Sequence, residues 1–156
     1  LNYVVMGTFS KAVGTSGAFV GCSKEIKEYL VNSSLGFIYS TAPSPMVVGA
    51  TIKSWELIKD KHLERASLIA MAQDLREVIQ ELGFDTLGSA SHIIPILLID
   101  EQRAIEAAQK LRSKGIVVSC IRPPSVPPKS SRLRIALNTS HTKKDISCFT
   151  EVLKCI

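Results

Sequence analysis

A lysine set among small and hydroxylated residues has the greatest chemical reach in this sequence. Gly7-Thr8-Phe9-Ser10-Lys11-Ala12-Val13-Gly14-Thr15-Ser16-Gly17 comes directly after the apolar run Tyr3-Val4-Val5-Met6. An ε-amine is nucleophilic near neutral pH when desolvation or neighbouring charge disfavours its ammonium, the usual requirement for Schiff-base chemistry. The flanking glycines leave room for a bulky planar partner. The hydroxyls of Thr8 and Ser10, with backbone N–H groups of a glycine-rich turn, can cradle a phosphate. Taken locally, the same residues also make an ordinary turn carrying a solvated lysine.

A second group lies far along the chain, in Ile121-Arg122-Pro123-Pro124-Ser125-Val126-Pro127-Pro128-Lys129-Ser130-Ser131-Arg132-Leu133-Arg134-Ile135-Ala136-Leu137, ending near Ser140-His141-Thr142. Its prolines fix the loop at low entropic cost and aim the next strand. In a strand Arg132-Leu133-Arg134 the two arginines point to one face and Leu133 to the other. A guanidinium there binds a carboxylate through two parallel hydrogen bonds, a geometry lysine cannot match. An edge strand with two solvated arginines is the plainer local alternative. Ser40-Thr41, within Ile38-Tyr39-Ser40-Thr41, reads on its own as a turn-capping pair.

Taken together and in order, these stretches resemble the α-oxoamine synthases, pyridoxal-phosphate enzymes of fold type I related to class II aminotransferases. Thr8 to Gly17 resembles their Schiff-base lysine motif, T-[FL]-[SG]-K-A-x-G-x-x-G, and Arg122 to Thr142 resembles R-P-P-x-V-P-x-x-x-x-R-L-R-I-x-L-x-x-x-H-T. The resemblance implies that Lys11 carries pyridoxal 5'-phosphate, with Thr8 and Ser10 beside it. Arg134 matches the arginine that holds the amino-acid carboxylate. Arg122 and Ser125 match positions near the acyl substrate. Thr41 matches a threonine that reaches the cofactor phosphate of the partner subunit, which implies a homodimer with a shared active site. The implied reaction condenses an amino acid, L-alanine in the nearest branch, with an acyl-CoA or acyl-carrier-protein thioester and loses carbon dioxide.

Two positions depart from the family pattern. Lys129 stands where relatives commonly have glycine, and Ser125 where many have threonine. A lysine is strained at φ > 0 if that loop keeps the family's conformation. The family also needs an N-terminal half, which supplies an aspartate for the pyridine nitrogen, a histidine against the ring and a glycine-rich phosphate loop. None of these is visible in this sequence, so the chain alone is expected to be inactive and to bind the cofactor poorly. Two other classes stay open: a non-catalytic fold type I assembly subunit, and a small α/β module binding an anion through Arg122, Arg132 and Arg134.

The 156 residues, 46% apolar and 21% charged, have a globular composition with room for one ordinary domain or two small lobes. The longest apolar stretch, Ile93 to Ile99, is short and contains Pro95, so no transmembrane helix is expected. Cys22, Cys120, Cys148 and Cys155 show no CxxC pair and no His/Cys spacing for zinc. Reduced thiols in a cytoplasmic protein without a metal site are therefore expected. The net charge of +5 suits acidic small molecules, and no RNP-type aromatic motif or basic block points to nucleic acid. The chain opens on Leu1, close to a strand leading into the candidate site, which suggests a fragment.

The positioning elements are set by periodicity and punctuation. Strands are predicted at Tyr3 to Met6 and Gly17 to Cys22, then a helix from about Lys24 to Ser33 capped by Ser23. An extended turn is predicted over Gly36 to Pro45, then helices from Met46 to about Lys61 and from about Leu63 to Leu82, stopped by Gly83. Beyond these come strand His92 to Ile99, helix Glu101 to Lys114 stopped by Gly115, strands Ile116 to Ile121 and Arg132 to Leu137, and helix Lys143 to Leu153. This is an α/β pattern. The resemblance implies the C-terminal part of a fold type I transferase: residues 1 to 45 end the large domain, 46 to 61 form a bridging helix, and 62 to 156 form the small α/β sandwich domain. His92 reads as structural, His62 as solvated, His141 as a cap before the last helix, and Trp55 as core packing.

Overall fold

Cross-strand pairing sets the first strands later than the apolar run suggests. The computed structural model describes residues 3–156, and the chain divides into two units, Leu1–Lys61 and His62–Ile156. In the first, β1 (Val5–Thr8) pairs antiparallel with β2 (Ala18–Gly21), Val5 opposite Gly21 and Thr8 opposite Ala18. The predicted strand Tyr3 to Met6 is thus displaced, because the ladder extends through Gly7. Gly7 is required there: a Cβ on it would lie 2.5 Å from Cε1 of Phe19.

Helix α1 (Lys24–Ser33) starts as predicted, with the Ser23 hydroxyl accepting the Ile26 N–H at 3.4 Å. The predicted extended turn holds a short helix instead, α2 (Leu35–Ile38), and only 39–44 is open. Ser34 ends α1 by donating its N–H to Leu30 and starts α2 by accepting from Phe37. Pro45 opens α3 (Pro45–Lys59) at the position where its missing N–H costs nothing. None of these three helices has a buried residue. Trp55, expected in a core, is 51% exposed, because among the described residues only Phe9 and Phe19 pack against its ring.

The second unit has a core. Helix α4 (His62–Glu81) precedes β3 (Ile93–Ile99), α5 (Glu101–Ser113), β4 (Ser119–Ile121), β5 (Ser131–Ala136) and α6 (Lys143–Leu153). The three strands form an antiparallel sheet in the order β3-β5-β4. One face of the sheet is covered by helices. Ile94, Ile96 and Leu98 of β3 and Leu133 and Ile135 of β5 pack with Ala72, Leu75 and Ile79 of α4, Ala104 and Leu111 of α5, and Phe149 of α6. Pro95 is tolerated because β3 is an edge strand. Together the units give the α/β architecture expected. Among the described residues no helix is long and apolar enough to cross a membrane.

Punctuation explains the helix ends. Asp100 caps α5 by accepting the Arg103 N–H at 2.9 Å. Past its end Gly115 takes φ 79 while Ile116 donates its N–H to Leu111 at 3.0 Å. That hydrogen bond takes Ile116 out of the ladder, so β4 is shorter than the predicted Ile116 to Ile121. Gly83, at φ 86, closes α4 in the same way.

Helix α6 begins in a capping box, and His141 caps the turn before it, as expected. The Asp145 carboxylate accepts from the Thr142 N–H and hydroxyl, both at 2.7 Å, and the Asp145 N–H donates back at 3.3 Å. His141 Nδ1 accepts the Asn138 N–H at 3.0 Å in the preceding turn. The Thr142 hydroxyl first, then its backbone N–H, hold the Asp145 carboxyl below the usual carboxylate range. A group depressed in this way adds stability above its unfolded pKa and loses it as pH falls through the folded one. The thermal midpoint is therefore expected to fall more steeply on acidification in the wild type than in Asp145→Asn, and the two curves should converge at the acid end.

Lys129 does adopt positive φ, at 60°. A left-handed backbone costs an L-residue about 1–2 kcal/mol, and glycine returns roughly 0.5–1 kcal/mol of that through unfolded-state freedom. Lys129→Gly is expected to stabilise the protein by about 0.5–1 kcal/mol, read as a higher urea midpoint at unchanged slope.

Candidate active site

The loop between β1 and β2 presents Lys11 at its head. Phe9 N–H donates to the Gly17 carbonyl at 2.9 Å, Thr15 N–H to Phe9 at 3.0 Å, and Gly14 N–H to Lys11 at 3.0 Å. The turn needs glycine at two places, Gly14 at φ 70 and Gly17 at φ 103. Lys11 is exposed, as are Thr8 and Ser10. The Thr8 hydroxyl lies 2.9 Å from that of Ser10, donates to the Gly17 carbonyl at 3.2 Å, and accepts the Ser10 N–H at 3.3 Å. An amine and two hydroxyls thus share one short, internally bonded turn.

Helix α3 splints this loop. The Ser54 hydroxyl donates to the Val13 carbonyl at 2.6 Å, and the Thr15 and Thr51 hydroxyls lie 2.8 Å apart. Trp55 meets the rings of Phe9 and Phe19 edge-on, with centroids 6.5 Å and 6.0 Å away. Thr51, Ser54 and Trp55 are positioning residues that sequence reasoning missed. Their signal was the i, i+3, i+4 spacing of one helix face. Thr41 is exposed in the open stretch 39–44, and among the described residues its hydroxyl makes no hydrogen bond to the Lys11 loop.

The other predicted residues belong to the second unit. Arg134, on the sheet face away from the core, donates from Nη2 to the Ser119 hydroxyl at 3.4 Å. It lines a cavity of about 390 Å³ with Arg132, Ser89, Ser91, Pro95 and Val126. Arg132 is held by its Nε, which donates to the Ser130 carbonyl at 2.9 Å. The Ser89–Ser91 turn is fixed from behind by the buried Arg76 of α4, which donates to the Ser91 carbonyl at 2.7 Å and to Gln73 Oε1 at 2.6 Å. Ser89, Ser91 and Arg76 had no recognisable signal in the sequence.

Arg122 and Ser125 lie in one turn, Ser125 N–H donating to the Arg122 carbonyl at 3.0 Å. They do not join Arg134. Register puts Ser119 opposite Arg134 and Cys120 opposite Leu133, so Arg122 continues the alternation of Cys120. Arg122 lines a separate cavity of about 330 Å³ with Arg112, Cys120 and Ile105. Burial pushes the Cys120 thiol up, and the Arg122 guanidinium offsets part of that rise. Among the described residues no group of three His, Cys, Asp or Glu side chains is placed to hold a metal ion.

Comparison with known proteins identifies the family. The family described as aminotransferase class I and II matches residues 1–153. The 8-amino-7-oxononanoate synthase of Pseudomonas savastanoi pv. phaseolicola is 39% identical over 151 residues, covering 97% of this chain and 38% of the relative. Among solved structures, 8-amino-7-oxononanoate synthase from Francisella tularensis is 27% identical with a TM-score of 0.86, covering 97% of this chain and 44% of that one. Serine palmitoyltransferase from S. paucimobilis, solved with a bound PLP–myriocin aldimine, is 27% identical with a TM-score of 0.88, over 97% and 39% of the two chains. The chain thus spans less than half the length of each of these relatives. With its lysine loop, its arginine strand and nearly all of its length inside that match, the chain belongs to the aminotransferase class I and II family.

Proposed function

We propose that these residues form the C-terminal part of a pyridoxal-phosphate-dependent α-oxoamine synthase that condenses L-alanine with an acyl-CoA or acyl-carrier-protein thioester, as in the 8-amino-7-oxononanoate synthases of biotin biosynthesis. The observation that carries this reading is the Lys11 loop, a primary amine with two hydroxyls on one short turn; the amine is exposed in residues 3–156, so the desolvation its chemistry requires would come from the cofactor and the remainder of the enzyme. That donor set fits the cofactor. An aldehyde needs an amine, and a phosphate needs hydroxyl and N–H donors. Lys11 would hold the cofactor, Thr8 and Ser10 would lie beside it, and Thr41 would serve the phosphate in the partner subunit of a homodimer.

When bound, pyridoxal phosphate supplies an electron sink for charge that develops at the amino acid's α-carbon. The chain's own residues do the rest. Arg134 holds the amino-acid carboxylate through two parallel N–H···O bonds and so fixes which α-bond is presented. The Lys11 amine, once released, takes the α-proton at Nζ as general base. Arg122 and Ser125 line the approach of the acyl donor. The amino acid's α-carbon would bond to the acyl carbon as the thiol leaves, the carboxylate would then be lost as carbon dioxide with a proton returned to the α-carbon, and an amino-ketone would remain.

In this reading residues 1–45 end the large domain, 46–61 bridge, and 62–156 are the small domain of a cytoplasmic enzyme. The exposure of Tyr39 at 82% and Met46 at 83% supports it, since apolar surface of that extent is normally covered. Residues 1–156 by themselves would then be inactive. A non-catalytic assembly subunit would have no need for Lys11. The other amino-acid choices within the family, glycine or serine, are separated by experiment. With the full-length protein, pyridoxal phosphate and an acyl-CoA, thiol release is expected to depend on L-alanine and to run at least about tenfold slower with glycine or L-serine. Preference for glycine or serine would reassign the branch, and no release with any amino acid would refute the reading.

A further inference from the structure

Part of the wall of the Arg134 cavity is a loop tied down from behind. Residues 86–91, between α4 and β3, bring Ser89 and Ser91 to that cavity of about 390 Å³. Their backbone is strained. Leu87 at φ 53 and Gly88 at φ 65 stand side by side in the left-handed region, closed by the Ser89 N–H donating to the Thr86 carbonyl at 3.1 Å. A leucine adopts that conformation only where its surroundings impose it.

Two side chains of α4 impose it. Arg76 and Gln80 lie one turn apart on the same helix face and reach opposite ends of the loop. Gln80 Nε2 donates to the buried Thr86 hydroxyl at 2.9 Å, and Arg76 Nη1 donates to the Ser91 carbonyl at 2.7 Å. Arg76 is 5% exposed, yet among the described residues it makes no ion pair; its Nη2 meets the neutral Gln73 Oε1 at 2.6 Å. Burying a guanidinium against neutral oxygens is unfavourable, and an apolar side chain of similar volume would hold helix against loop at least as well. What the guanidinium adds is direction. It fixes the Ser91 carbonyl, and with it the turn in which the Ser89 hydroxyl donates to the Ile93 carbonyl at 2.6 Å and the Ser91 hydroxyl accepts the Ile93 N–H at 3.1 Å. Ser89, Ser91 and Ile93 all line the cavity with Arg134.

We propose that Arg76 is a positioning residue for amino-acid binding: acting through the Ser91 carbonyl, it holds the Ser89–Ser91 wall in the place that an amino acid on Arg134 requires. The inference rests on Arg134 as the carboxylate anchor and adds the residue that sets the wall beside it. A loosened wall costs affinity for the amino acid and leaves the later chemistry alone, because Arg76 touches neither substrate.

Isothermal titration of the full-length protein, loaded with pyridoxal phosphate, against L-alanine, glycine and L-serine tests it, with KM values measured alongside. Arg76→Met, which keeps the apolar stem and removes the fork, is expected to weaken binding of the tightest of the three at least about fivefold and to raise its KM equally. Both kcat and KM for the acyl thioester should stay within about twofold. Arg76→Lys, with one donor in place of the fork, should recover part of the loss. Arg76→Gln is expected to behave as the methionine variant does and serves if that one does not fold. Ala107→Gly, in the buried face of α5, is the control for stability: it should lower the thermal midpoint and leave amino-acid affinity unchanged. Wild-type affinity in Arg76→Met or Arg76→Gln, or an equal loss in Ala107→Gly, overturns the inference alone, provided Arg134→Ala weakens binding. Amino-acid binding indifferent to Arg134→Ala overturns the Arg134 assignment and this inference with it.

Discussion

Lys11→Ala in the full-length protein is expected to lower kcat for thiol release by at least about a thousandfold, since proton transfer by a positioned base alone contributes roughly 10²–10⁴ and the cofactor attachment is lost as well. Folding should be nearly untouched. Lys11 is exposed, its Nζ makes no hydrogen bond or ion pair among the described residues, and only its carbonyl is engaged, by Gly14. Substitutions at such surface positions usually stay within about 0.5 kcal/mol. A pairing of near-total activity loss with an unchanged thermal midpoint separates chemistry from stability. Retention of more than about a tenth of the activity would be incompatible with a Schiff-base lysine.

Arg134→Ala is expected to raise KM for the amino acid roughly 10- to 150-fold, the equivalent of losing about 1.5–3 kcal/mol of charge-assisted hydrogen bonding. KM for the acyl thioester should change much less. Arg134→Lys tests geometry against charge, because an ammonium keeps the attraction but cannot form the two parallel bonds. It should recover only part of the loss. A KM rise confined to the thioester would assign Arg134 to the acyl donor instead.

Signals local in sequence predicted the fold best. Asp100, Gly83 and Gly115 mark helix ends because a cap or a left-handed turn involves only neighbouring residues. The alternation in Arg132-Leu133-Arg134 was readable for the same reason, with Leu133 buried and Arg134 exposed. Helix α2 was not, since four residues make little more than one turn and show no periodicity. The shift of β1 depends on Phe19 lying across Gly7, which is a property of pairing rather than of composition.

The candidate site divides along the same line. Lys11, Thr8 and Ser10 are close in sequence, and the structure keeps them within one turn. Arg122 and Arg134 look like neighbours along a single motif, yet the register of β4 on β5 sends them to separate cavities. Arg76 and the Ser89–Ser91 turn reach the Arg134 cavity only through the packing of α4 behind the sheet, which no spacing encodes. Trp55 on the bridging helix reads as core packing, yet half of it lies exposed while the rest braces Phe9 and Phe19.

The central claim is that Lys11 carries the cofactor. Borohydride reduction of the full-length protein in the presence of pyridoxal phosphate, then peptide mapping, addresses it most directly. The account predicts a stable pyridoxyl group on Lys11 that is absent from Lys11→Ala. A pyridoxyl group on another lysine, with Lys11 unmodified, would contradict it.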